Sequence, residues 1–426
     1  MKKLLSICAL LMTGLTLLQA QDFKFDFSTN KKVSEGYTKI TPETKYTDEV
    51  GYGYDLNTSW DGKSNEAFFF SVKVPDGNYR ITLTLGSKKS AGVTTVRAES
   101  RRLFLERVAT KKGELKQQTI CVNKRDTLIR EGRYVRIKPG ERKKLNWDNK
   151  LTLEFNGDAP RVTAVEIQKV DDVPTIYLCG NSTVVDQDSD PFTSWGQMIT
   201  RFLTDQVAVA NYAESGLSAD SFQAQRRLEK ILTQIKPGDW LFVEFGHNDQ
   251  KQKGPGKGAF YSFAYHIKIF IDEVRAKGAN PVIVTPTRRR HWSQDNTHIL
   301  DTHADYPQAL REIAAREQVP VIELQEMTKT MCEAMGVEGS KNLFVHYPAG
   351  AFPGRPQQLA DNSHFNMFGA YEVAKCIAQG IREAKLPLAQ YLVPDFTGFD
   401  PAHPDKFEEF KWDAYPYVSL KKPDGN

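Results

Sequence analysis

The chain has 426 residues, 40% of them hydrophobic, which allows two or three domains with a sizeable buried core and excludes a disordered chain. The formal charge is +4, and the longest apolar run, Leu4 to Leu18, is too short for a membrane span. Lys2-Lys3 before it and the small residue Ala20 after it make residues 1–20 a cleaved secretory signal, so export to the periplasm or the extracellular space is expected, with no membrane span and no nucleic-acid partner.

Residues 21–170 read as an all-β unit. Ala67 to Val74 and Tyr79 to Leu85 flank Pro75-Asp-Gly-Asn78, the pattern of a hairpin, and Ile81, Leu83 and Leu85 alternate with polar residues as in a half-buried strand. Further strands are expected at Val93 to Ala98, Arg102 to Val108, Gln118 to Val122, Tyr134 to Lys138, Leu151 to Phe155 and Val162 to Val170. Short strands with turn signals and no amphipathic helix favour a β-sandwich. The polar link Lys169-Val-Asp-Asp-Val-Pro174 closes the unit.

From residue 171 to 392 the period changes. Strand-like runs at Thr175 to Cys179, Val207 to Ala210, Trp240 to Phe245, Pro281 to Thr285 and Val321 to Leu324 alternate with helical patterns. Those patterns lie at Trp195 to Leu203, Ser218 to Ile235, Phe260 to Lys277, Tyr306 to Glu317 and Asn366 to Ala384. Five strands alternating with helices imply a three-layer α/β/α domain on a five-stranded parallel sheet. Residues 393–426, rich in Pro, Asp and aromatics, read as an irregular extension. Cys121, Cys179, Cys332 and Cys376 read as buried free thiols.

The charge is divided between these units. Residues 22–170 hold 29 Lys and Arg against 20 Asp and Glu, whereas residues 171–426 hold 26 against 33. Arg97, Arg101, Arg102 and Arg107, with Lys111 and Lys112, have three readings: a face that holds an anionic partner through charge-assisted bonds, a solvated face, or one side of an interface with the acidic unit.

Chemistry concentrates where strands of the second unit end. Thr175 to Cys179 is followed by Gly180-Asn181-Ser182-Thr183, which puts a serine hydroxyl at the carboxyl edge of the sheet, where open α/β folds hold ligands. The next turn carries Gly216, whose backbone N–H no Cβ obstructs. Gly246-His247-Asn248-Asp249 follows the third strand and offers the Asn248 amide. Asp361-Asn-Ser-His364 precedes the last helix; a carboxylate three residues before a histidine can hold Nδ1 and leave Nε2 to take a serine proton. Each segment alone reads better as an ordinary turn or cap, but together they supply a nucleophile, an oriented base and oxyanion donors, the requirements of acyl transfer.

In that order the four segments resemble the blocks of the SGNH, or GDSL-like, hydrolases. The resemblance implies catalysis by Ser182, His364 and Asp361, with an oxyanion hole made by the Ser182 and Gly216 N–H groups and Asn248. Asn181 stands where that family usually has Asp. Ser194-Trp-Gly-Gln197 and Asp301-Thr-His-Ala-Asp-Tyr-Pro307 are similar to the branch of rhamnogalacturonan and pectin acetylesterases, and the amino-terminal unit to the galactose-binding-type sandwich. The implied activity is a carbohydrate O-acetylesterase acting on an acetylated acidic polysaccharide. Alternatives are a glycan-binding protein on an esterase scaffold and an esterase for xylan or lipid esters. The Gly-x-Ser-x-Gly elbow of a typical lipase is absent, as Thr183-Val184 follows Ser182.

His291, His298, Asp301, His303 and Asp305 cluster behind Arg288-Arg289-Arg290. Their spacing matches no zinc signature, and no metal or cofactor is expected. The segment is expected to wall the substrate cleft, with Trp195, Arg288, Arg289, His291 and His303 as substrate-binding residues.

Overall fold

Alternating apolar residues build the first half of the chain from two facing sheets. The computed structural model describes residues 22–352 and 356–416, so the expected signal at 1–20 and the end of the extension lie outside the described residues. Its strands run β1 (Phe23–Asp26), β2 (Thr38–Lys39), β3 (Tyr52–Asp55), β4 (Phe68–Lys73), β5 (Gly77–Gly86), β6 (Gly92–Ala98), β7 (Arg102–Thr110) and β8 (Leu115–Lys124). A small hairpin, β9 (Leu128–Arg130) and β10 (Arg133–Tyr134), precedes β11 (Lys150–Ala159) and β12 (Val162–Val170). Two five-stranded sheets result, ordered β2-β1-β12-β5-β8 and β3-β4-β11-β6-β7. Phe25, Ile81, Leu83 and Ile167 from one meet Phe68, Phe70, Leu153 and Phe155 from the other in a single core. Full burial of each such side chain is worth about 1.5–3 kcal/mol.

The expected hairpin between residues 67–74 and 79–85 does not form. β4 pairs with β3 and β11, whereas β5 pairs with β12 and β8, so the Pro75–Asn78 turn carries the chain from one sheet to the other. Phe68, Phe70, Ile81 and Leu83 reach the same core from opposite sides, which a flat hairpin would not allow.

The second half is built on β13 (Thr175–Cys179), β14 (Ala208–Asn211), β15 (Trp240–Val243), β16 (Asn280–Val284) and β17 (Val321–Ile322), all parallel and ordered β14-β13-β15-β16-β17. Alternate residues feed opposite layers. Ile176, Leu178 and Phe242 pack with α1 (Trp195–Met198), α6 (Leu324–Gly339) and α7 (Met367–Glu383). Tyr177, Cys179 and Val243 pack with α2 (Ala219–Ala224), α3 (Arg227–Leu232), α4 (Ala264–Ala276) and α5 (Tyr306–Glu317). Burial on both faces explains why these strands are continuous apolar runs. The single helix expected over 218–235 is instead two, broken where Arg226 takes φ 63°. A hairpin of β18 (Phe344–Tyr347) and β19 (Leu359–Phe365) leads into α7. All four cysteines of the described residues are buried and unpaired.

The basic residues of the sandwich resolve in favour of the interface. Arg97, Arg101 and Arg102 are buried. Arg102 lies 3.5 Å from Asp186 and donates to Val209 O at 2.8 Å. Arg101 pairs with Asp190 and donates to Phe192 O at 3.0 Å. Arg97 bonds Glu154 at 2.6 Å and stacks on Trp412 of the extension at 4.0 Å. Arg107 pairs with Asp158 and Asp413, which leaves only Lys111 and Lys112 of that group exposed. The extension thus runs back over the sandwich at Trp412 and Asp413.

Candidate active site

Three neighbouring strands point their carboxyl ends at one place. Ser182 leaves β13, Gly216 follows β14 on one side, and Asn248 follows β15 on the other. Behind Gly180 the chain folds into a tight turn: the Val184 and Val185 N–H groups donate to Asn181 O at 3.1 and 3.0 Å. The Asn181 side chain accepts from the Thr183 N–H and hydroxyl, both at 3.1 Å, so this amide does bracing work within the turn. The Ser182 carbonyl is held by Ser194 Oγ at 2.8 Å and Gln187 Nε2 at 3.1 Å. Gly196 must be glycine, because a Cβ there would lie 2.0 Å from Val184 O.

His364 reaches this turn from β19. The Thr193 N–H donates to Phe365 O at 3.0 Å and fastens that strand beside the segment following Ser182. His364 Nε2 lies 3.0 Å from Ser182 Oγ, and Nδ1 lies 2.8 Å from Asp361 Oδ2. The other Asp361 oxygen accepts the Ser363 and His364 N–H groups at 2.8 and 3.0 Å. Burial alone would raise the Asp361 pKa, but the bonds from the His364 ring and from those N–H groups outweigh it and hold the carboxyl below its ordinary range. An ionised Asp361 fixes the proton on Nδ1, which leaves Nε2 as an acceptor for the serine proton. The Phe192 ring meets the imidazole edge-on, 5.9 Å between centroids.

Gly216 takes φ 77°, a left-handed conformation that glycine adopts without strain. Asn248 Nδ2 donates to Leu217 O at 3.0 Å, which ties the second and third turns together. Asp249, absent from the sequence-based site, clamps the same two turns: its oxygens accept the Ala219 N–H at 2.8 Å and the Gly246 N–H at 2.9 Å.

The other expected substrate residues fare differently. Trp195 is buried and its indole N–H donates to Glu244 at 2.6 Å, so it is a core residue and not part of a cleft wall. Arg288 is buried and pairs with Asp301 at 3.0 Å and Glu326 at 3.1 Å, which leaves its charge already neutralised. His303 is fully buried with Nε2 3.0 Å from His247 Nδ1, and His247 Nε2 lies 3.2 Å from Thr287 Oγ1. Burial, then the neighbouring His303, Arg289 and His364, push the His247 pKa well down and keep the ring neutral. Arg289 is half-buried and donates to His247 O at 3.1 Å, one residue from Asn248, while His291 is exposed. Among the described residues no three His, Cys, Asp or Glu side chains converge as metal ligands.

Glu244 was missed, although an acid at the end of the apolar run Trp240-Leu-Phe-Val was a visible signal. Its oxygens face Thr183 Oγ1 and Trp195 Nε1, both at 2.6 Å, beneath the Ser182 turn. Burial raises its pKa from 4.5 to about 7, with bonds to Thr183, Trp195 and the Thr287 backbone opposing. Its contribution to stability is therefore complete below about 4.5 and is lost as pH rises through about 7. Glutamine keeps the shape and does not titrate. Between about pH 4.5 and pH 8 the melting temperature of Glu244→Gln should fall less than that of the wild type, and above that range the two should run parallel; parallel curves within it would refute the assignment.

Residues 178–369 match the GDSL-like Lipase/Acylhydrolase family. The chain is 41% identical over 220 residues to the rhamnogalacturonan acetylesterase RhgT of Bacillus subtilis, covering 51% of this chain and 94% of that one. It is 24% identical over 387 residues to the uncharacterized esterase YxiM of the same organism, covering 84% of this chain and 90% of YxiM. The crystal structure of YxiM is similar with a TM-score of 0.47 at 23% identity, covering 86% of this chain and 99% of that chain.

Proposed function

The chain belongs to the GDSL-like lipase/acylhydrolase family, and from that membership we propose that it is an exported O-acetylesterase of pectic polysaccharide, rhamnogalacturonan foremost, working through an acyl-enzyme on Ser182. The observation that carries the reading is the line from Ser182 Oγ to His364 Nε2 at 3.0 Å and from Nδ1 to Asp361 at 2.8 Å. The pectic substrate is supported by the likeness to RhgT. In this reading residues 171–392 are the catalytic unit, residues 21–170 its β-sandwich partner, and residues 1–20 the cleaved export signal.

Ser182 Oγ attacks the acetyl carbonyl carbon as His364 Nε2 takes its proton. The oxyanion accepts hydrogen bonds from the Ser182 and Gly216 N–H groups and the Asn248 amide. Collapse breaks the ester C–O bond, and the departing sugar hydroxyl leaves with the proton from His364. Water then attacks the acetyl-serine, gives a proton to His364, and the second collapse returns that proton to Ser182 Oγ and frees acetate. Asp361 stays ionised throughout and stabilises the imidazolium. No step calls for a metal or cofactor.

Acetate release from acetylated rhamnogalacturonan, homogalacturonan and xylan, set against fatty-acid release from nitrophenyl palmitate, tests the assignment. Highest kcat/KM is expected on rhamnogalacturonan. Preference for the palmitate ester, or equal rates on xylan and the pectic polymers, would overturn the pectic assignment.

A further inference from the structure

Burial of Arg97, Arg101 and Arg102 leaves a question of charge. Residues 171–426 carry more acidic than basic groups, so a polyanionic chain approaching Ser182 meets a field of its own sign. One stretch beside the site is built otherwise. Lys251, Lys253 and Lys257 lie exposed on a turn punctuated by Gly254, Gly256 and Gly258, all at positive φ. Phe260, Tyr261 and Tyr265 follow at 49%, 71% and 64% exposure.

Large aromatic rings left in water within six residues of one another are unusual, because their burial is favourable and this segment has a core to bury them in. Ala259, Phe263, Ile267 and Phe270 do face that core. Tyr261 sits at a break from helical geometry, φ −116° and ψ −109°, at the entry to α4.

The same segment is fastened to both turns that carry the oxyanion donors. Lys251 Nζ donates to Asn248 Oδ1 at 3.3 Å. Gln252 donates to Ser218 Oγ at 3.1 Å and Asp220 at 2.7 Å, just beyond Gly216. Gln223 of α2 donates to His266 O at 2.9 Å. Phe263 packs on Tyr306, whose hydroxyl donates to Asp249 O at 3.1 Å. The aromatic face is therefore held in a fixed relation to the catalytic turn.

We propose that Phe260, Tyr261 and Tyr265, with Lys251, Lys253 and Lys257, form the platform on which an acidic polysaccharide lies beside Ser182. The inference rests on the esterase reading above and supplies its polymer-binding surface. Aromatic faces stack on the C–H faces of pyranose rings, and ammonium groups beside them meet uronate carboxylates. Lys253 makes no ion pair among the described residues, and Lys257 pairs with Asp220 at 3.1 Å at the rim. The lysines thus form a cationic island in an acidic half, matched in sign to a polyuronate.

The test is affinity electrophoresis of the full chain carrying Ser182→Ala, in native gels cast with polygalacturonate, deacetylated rhamnogalacturonan or neutral xylan. Retardation is expected in the two acidic gels and should weaken with salt, since exposed charges are screened over about 8 Å at physiological ionic strength. Adding Phe260→Ala, Tyr261→Ala and Tyr265→Ala should raise the dissociation constant about tenfold or more, with the melting temperature showing that the fold is kept. Lys253→Gln should reduce the salt-sensitive part. Equal retardation of parent and triple variant, absence of retardation in the acidic gels, or equal retardation in xylan would overturn the platform. A wild type that releases no acetate from pectic polymers would sink the esterase reading instead, and the gels read the platform without turnover.

Discussion

Ser182→Ala should lower kcat for acetyl-ester hydrolysis by about 10⁴–10⁶-fold with the fold intact, because the covalent route is lost and only oxyanion stabilisation and binding remain. The expectation follows from Oγ standing 3.0 Å from an imidazole whose other nitrogen is held by a buried carboxylate. His364→Ala should cost a similar factor, and the double variant should be no worse than either single one, since the two groups act as a unit. Asn248→Ala should be milder, about 10²–10³ in kcat with KM little changed, because it removes one of three oxyanion donors. Acetate release measured beside thermal melting separates these losses from unfolding. Near-wild-type release by Ser182→Ala would end the serine-esterase reading, and equal costs for Asn248→Ala and Ser182→Ala would take Asn248 out of the oxyanion hole.

What could be read from the sequence follows the range of the forces involved. The parallel strands were legible because each is buried on both faces and ends at a turn residue; the expected Thr175 to Cys179 run has the same bounds in the structure. The turns after them bring Ser182, Gly216 and Asn248 to one sheet edge because parallel neighbours must end together. β19 was not legible: Asp361-Asn-Ser-His364 is polar, and its strand geometry comes from pairing with β18 and from the Thr193 bridge. The sheet crossing at Pro75–Asn78 was hidden because a turn signal says that the chain reverses, not which partner it meets. Arg101 and Arg102 looked like surface charges because their partners Asp190 and Asp186 lie more than 80 residues away. Glu244 and Asp249 act through bonds to other loops, so spacing along the chain gave neither a role.

Deleting residues 22–170 should abolish hydrolysis of nitrophenyl acetate and of acetylated polymer together. The sandwich supplies groups that hold the catalytic turns from behind. Lys144 Nζ bonds Glu214 at 2.8 Å and Lys138 donates to Ser215 O, both on the turn that carries Gly216. Arg125 donates to Asn211 O at the end of β14, and Arg102 faces Asp186 on the Ser182 loop at 3.5 Å. Arg101 holds Asp190 and the Phe192 carbonyl, next to the ring that packs on His364. Deleting the sandwich removes these donors from the turns at once and opens the interface around Asp186, Asp190 and Glu214 to water. Arg102→Met in the full chain removes one buried cation, with its bonds to the Val209 and Asn123 carbonyls, and should lower the melting temperature strongly at neutral pH, with less loss at acid pH where Asp186 protonates: burial already raises that carboxyl, with Arg102 and Arg125 opposing. A truncated chain that still hydrolysed the small ester at the full-length rate would show that the turns hold themselves, and the sandwich would then have to serve the polymer alone.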